Sequence, residues 1–195
     1  RPDLVVFYHT ASNAEAIAQL EAMGIATVSL RTDRIADFER AARLLGELVG
    51  RRDRADSLIA ALGAELDSLG HAVDPVPAVQ AVAIIAWDNP PIVIGATSFL
   101  GEIVTLAGGR NVFGDVEQPS LTVSVETIVA RDPDLLLVHS DDSLPGFLTR
   151  PEWQVVDAVR RRRLLRVHGT EFGHPSFRVA KAVAHLRDLL AARVP

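Results

Sequence analysis

Four histidines, one tyrosine and one tryptophan stand where short apolar runs of this chain end: His9, His139, His168 and His174, with Tyr8 and Trp87. Imidazoles converging on a cleft bind zinc or manganese, and an imidazole or a tyrosine phenolate ligates haem iron. Trp87-Asp88-Asn89 and His139-Ser140-Asp141 add aromatic surface, carboxylates and an amide, a set suited to a flat ligand with a polar edge. The competing reading is that these are ordinary polar loops whose histidines are solvated or hydrogen-bonded. None of the histidines has i, i+4 helical spacing or an HExxH context, so spacing assigns no metal site. GxGxxG, GxxxxGK[ST] and GxSxG are all absent. With no cysteine there is no thiolate nucleophile, disulfide or Cys-based zinc site. The carboxylate pair Asp141-Asp142 and the run Arg160 to Arg163 read as solvated surface.

The elements that must position these groups follow from a phrase used twice. Arg1-Pro2-Asp3-Leu4-Val5-Val6-Phe7-Tyr8-His9 returns as Asp132-Pro133-Asp134-Leu135-Leu136-Leu137-Val138-His139. Proline suits the residue before a strand, and a short apolar run suits a strand buried on both faces. Two copies predict two α/β lobes with parallel sheets, and ligands of such sheets lie beyond the carboxyl ends of the strands. Further strands are expected at Ile25 to Leu30, Ala81 to Ala86 and Leu164 to Val167. Helices are expected after a Ser12-x-x-Glu15 capping box, from Ile35 to Val49 (inward face Phe38, Ala41, Ala42, Leu45 and Leu48), and from Asp53 to Leu69. The second lobe should add helices from Ser98 to Ala107, from Val125 to Arg131 capped by Ser124, from Pro151 to Val159 and from Ser176 to Ala192. Met23 is expected in the core. Asp74-Pro75-Val76-Pro77 divides the chain into a partial first lobe (1–50), a connecting helix (51–74) and a second lobe (75–195). A helical connection makes a stiff spine that opposes large hinge closure.

Composition narrows the function. At 195 residues, 48% apolar and 23% charged, the chain is an ordinary globular one. Its net charge of −5 argues against nucleic acid as a partner, because phosphate binding needs a basic face.

Several segments together resemble one family. They are Trp87-Asp88-Asn89-Pro90-Pro91, Gly95-x-x-Ser98-Phe99-Leu100-Gly101-Glu102 and Ala107-Gly108-Gly109-Arg110-Asn111-Val112-Phe113, followed by Ser124-Val125-Glu126 through Pro133-Asp134, Pro151-Glu152-Trp153 and His174-Pro175-Ser176-Phe177-Arg178. They are similar to the class III, helical-backbone substrate-binding proteins of ABC importers, closest to the vitamin B12-binding branch. The resemblance implies a non-enzymatic, monomeric receptor in the periplasm or outside the cell, lipid-anchored or free, which delivers a small-molecule metal chelate to a membrane permease. It implies no resident cofactor or protein-bound metal, since a cobalamin or another metal chelate is the cargo. It also implies that the first lobe lacks its earlier part, leaving an open sheet edge. Carried over residue by residue, ligand contacts fall on Tyr8, His9, Trp87, Asp88, Asn89, Pro90, Phe172 and Arg178, and permease docking falls on Glu126. The chain departs from the B12 branch at Leu121 and at Tyr8-His9, where that branch commonly carries tryptophan. Ferric siderophore or haem is therefore the alternative cargo. An α/β metal-dependent enzyme using Asp88 and the strand-end histidines is the alternative from another class.

Overall fold

A computed structural model of the chain describes residues 1–71, 80–139, 146–167 and 170–192. The Asp74-Pro77 boundary, Ser140, Asp141, Asp142 and His168 lie outside the described residues, as does the side chain of His139.

In the first lobe β1 (Leu4–Tyr8) and β2 (Ala26–Leu30) pair in parallel, with Leu4 opposite Ala26 and Tyr8 opposite Leu30. They are joined through α1 (Ala14–Ala22), which Gly24 ends at φ +70°, a conformation that glycine adopts without Cβ strain. The Ser12-Glu15 capping box does not form. Ala11–Asn13 make a 3-10 turn instead, and Asn13 Nδ2 donates to the Tyr8 carbonyl at 2.8 Å. Met23 is not core but 64% exposed.

Next come α2 (Ile35–Leu48) and α3 (Arg52–His71), separated by Gly50 at φ +66°. Ala41 is buried on the inward face of α2, whereas Leu48 at its last turn is exposed, because the chain leaves the core there. Gly46 lets α3 approach. A Cβ at that position would fall 2.5 Å from the Ala55 Cβ.

The second lobe is a six-stranded sheet in the order β6-β4-β3-β7-β8, with β5 also pairing β3. It consists of β3 (Ala81–Asp88), β4 (Pro91–Ile94), α4 (Phe99–Leu106), β5 (Arg110–Asn111), β6 (Ser120–Thr122), α5 (Val125–Ala130), β7 (Leu135–His139), α6 (Asp157–Arg160), β8 (Leu164–Val167), α7 (Thr170–Gly173) and α8 (Val179–Ala191). The centre is parallel, β3 to β7 to β8, as alternating strands and helices require. The β4 and β6 edge is antiparallel. The single helix expected over 151–159 is a 3-10 turn, Pro151–Trp153, followed by the short α6, because Val156 is extended between them. The last helix starts at Val179 rather than Ser176.

Side chains alternate across this sheet with period two. Val82, Ile84, Leu135, Leu137 and Leu165 face α4 and α8, and Leu62 of α3 is buried in the same cluster. Ala83, Ile85, Leu136 and Val138 face Phe113, Ile128 and Trp153 on the other side. Because α3 packs on α2 as well as in this core, it is a spine seated in both lobes.

Gly95 is where the β4 edge meets the segment leading to β6. A Cβ there would lie 2.3 Å from the Gln118 carbonyl oxygen and 2.8 Å from that of Val116. Gly95→Ala is expected to cost about 1–3 kcal/mol in urea unfolding. A loss near zero would mean that residues 116–118 shift without penalty.

Candidate functional site

The carboxyl ends of β1 and β2 face the start of α4 and the turn before α8. Between them lies a cleft of about 540 Å³, with Tyr8, Thr32 and Asp33 on the first-lobe wall and Ser98, Phe99, Pro119 and the Gly173–Pro175 turn on the other. The Tyr8 hydroxyl donates to Asp33 Oδ1 at 2.5 Å, and Arg31 Nε pairs with Asp33 Oδ2 at 3.2 Å. Accepting from the phenol, the Asp33 carboxylate raises the Tyr8 pKa above its ordinary value; partial burial and the Asp33 charge add to the rise. Tyr8 is thus a neutral hydroxyl at physiological pH. The sign of the linkage follows. A raised folded-state pKa contributes stability that is fully present below the unfolded value of about 10 and is lost as pH rises through the folded one. His9 sits one residue further on and is exposed. Its backbone N–H donates to Leu30, and its Nδ1 lies 3.2 Å from Ser29 Oγ.

Trp87 to Pro90 do not line this cleft; they form the tip of the β3–β4 hairpin. Trp87 is 59% exposed, and its indole Nε1 donates to the Asn89 carbonyl at 3.0 Å, so the ring offers solvent its apolar face with its donor already used. Asp88 is paired with the Arg150 guanidinium and is not a free carboxylate. The expectation that Phe172 contacts a ligand is corrected. It is 1% exposed in the second-lobe core, its ring edge-on to His185 at 5.9 Å. It therefore backs the turn carrying His174 without reaching the cleft. Arg178 is exposed at the start of α8, and its backbone N–H donates to Ser176 Oγ at 3.2 Å.

Glu126 lies in the first turn of α5, which Ser124 caps by accepting from the Thr127 N–H at 3.3 Å. A hydrogen bond from Ser124, and then its own backbone N–H, lower the Glu126 pKa. Its carboxylate is charged and exposed, as a docking contact requires.

Among the described residues no three His, Asp or Glu side chains converge to hold a metal ion. The sequence reading missed Thr32, Asp33, Ser98 and Pro119. Thr32 and Asp33 follow β2 directly, so the strand-end rule that selected Tyr8 reaches them as well.

The family model described as "Periplasmic binding protein" matches residues 1–169. The vitamin B12-binding protein of Vibrio campbellii is 23% identical over 187 residues, covering 95% of this chain and 67% of that protein. Its Salmonella typhimurium counterpart is 28% identical over 138 residues, covering 71% and 52%. The chain spans about half to two thirds of the length of these curated relatives. Among solved structures, the apo periplasmic heme-binding protein from Roseiflexus sp. RS-1 superposes with a TM-score of 0.84 at 21% identity, covering 98% of this chain and 76% of that one. A possible iron-binding, periplasmic solute-binding protein from Staphylococcus epidermidis gives 0.81 at 22%, covering 99% and 77%. These likenesses establish the two-lobed fold.

Proposed function

The chain belongs to the periplasmic binding protein family, and from that premise we propose that it is the capturing receptor of an ABC importer for a chelated metal compound, a corrinoid first. The observation that carries this reading is the cleft between the strand ends of the first-lobe sheet and the second lobe's α4 start and turn before α8, with Tyr8 and Asp33 on its wall, together with the exposed Trp87 face at the β3–β4 hairpin tip. Stacking and apolar burial would supply affinity, and the polar groups would set orientation. His9, Asn89, Pro90 and Arg178 are the remaining proposed contacts, and Glu126 is the proposed docking point for the permease. The protein itself carries out no reaction, works as a monomer and acts outside the cytoplasmic membrane.

Haem and ferric siderophores are the competing cargoes. A haem iron ligated by Tyr8 needs a phenolate, and the Asp33 carboxylate 2.5 Å from that hydroxyl opposes its formation. Titration with cyanocobalamin, haemin and a ferric hydroxamate decides between them. Saturable binding of cyanocobalamin at micromolar concentration is expected, and binding of none of the three removes the proposal. If haemin binds instead, its Soret band should be the same in Tyr8→Phe as in the wild type, because Tyr8 is held neutral. A band lost in that variant would assign Tyr8 to the iron.

A further inference from the structure

The sequence motif Gly95-x-x-Ser98-Phe99-Leu100-Gly101-Glu102 ends on a carboxylate that the cleft lining leaves out. Glu102 belongs to α4 of the second lobe, yet both its oxygens are used by the first. Oε1 meets Arg34 Nε at 2.9 Å, and Oε2 accepts the Ile35 N–H at 2.8 Å. Ile35 is the first residue of α2, and the residue before it, Arg34, has no short side-chain oxygen to cap that helix. Asp37 reaches back only to the Arg34 N–H, at 3.1 Å. The first-lobe helix thus takes its cap from the opposite lobe.

One residue earlier, the Asp33 carbonyl accepts the Phe99 N–H at 2.6 Å, a third bond between the lobes. The side chain of the same Asp33 holds the Tyr8 hydroxyl in the cleft. Residues 33–35 are therefore bonded to α4, and Asp33 at their head lines the cleft.

We infer that Glu102 is a positioning residue for the binding cleft: from the second lobe it fixes residues 33–35, and through them the Tyr8–Asp33 pair. This rests on the reading of the cleft as the ligand site, but its test does not need a ligand. Tyr8 is the only tyrosine of the chain, so the tyrosinate absorbance of the whole protein titrates this one group. The charged groups that bear on it are Asp33, Arg31 and Asp37.

In Asp33→Asn the titration midpoint should fall toward the ordinary value of about 10. Glu102→Ala should reproduce at least half of that fall, although Glu102 does not touch Tyr8. It should also weaken whichever of cyanocobalamin or haemin the wild type binds by roughly ten-fold, through lost preorganisation. If Glu102→Ala does not fold, Glu102→Leu carries the same test, since it keeps the bulk of the side chain and removes the acceptors for the Ile35 N–H and Arg34. A variant that melts earlier but titrates as wild type overturns the inference and leaves Glu102 a merely structural cap. A shifted titration in a protein that binds neither probe sustains the inference and sinks the receptor reading alone.

Discussion

Trp153→Ala is expected to remove about 3–5 kcal/mol of folding stability, the cost of emptying a fully buried aromatic site. Trp153 is 0% exposed, and its ring lies 4.4 Å from that of Phe147, tilted by 40°. Around it Val138, Val156 and Val159 belong to the same cluster, fixed by the sheet on one side and by the turns of residues 146–160 on the other. Such a wall collapses poorly, which places the loss at the upper end of the range for large-to-small changes. A typical domain has about 5–15 kcal/mol in total, so the variant should unfold at much lower denaturant. Equilibrium unfolding in urea, followed by far-ultraviolet circular dichroism, measures it. A loss below about 1 kcal/mol would mean that this face of the sheet is not close-packed.

Trp87→Ala should do the reverse. Its ring is mostly in solvent, so stability should change by no more than about 0.5 kcal/mol. Ligand affinity should fall roughly 10- to 100-fold, because an aromatic face contributes both buried area and stacking. Trp87→Phe should recover part of the loss, since a phenyl ring still stacks and the indole N–H is already spent on Asn89. Isothermal titration with whichever chelate binds the wild type gives the comparison. Equal affinity in Trp87→Ala would take the hairpin tip out of the site. The two tryptophans also answer different questions by fluorescence, Trp87 reporting on the hairpin tip and Trp153 on the core.

Much of this architecture is legible because the signals are local and strong. The Pro-Asp phrases open β1 and β7, Gly24 and Gly50 end helices, and Ser124 caps α5. What escaped the reading depends on partners distant in sequence. The strands β4, β5 and β6 are two to four residues long, too short for a period to emerge; β4 and β5 exist because β3 offers them an edge, and β6 because β4 does. The Ser12 capping box fails because Asn13 is drawn back to the Tyr8 carbonyl. Phe172 was expected in the site from the family resemblance, but the turn of α7 points it into the core. Asp88 has its counterion 62 positions away at Arg150, and Glu102 has its partners 67 and 68 positions away. No spacing rule reaches that far.

The doubly fastened lobes also bear on how quickly this protein could trap a molecule. A hollow whose floor is bonded across both halves before anything arrives exists in one dominant arrangement. An incoming compound then loses none of its intrinsic affinity to a rare open form. Encounter frequency, rather than a slow rearrangement, would set the speed of capture.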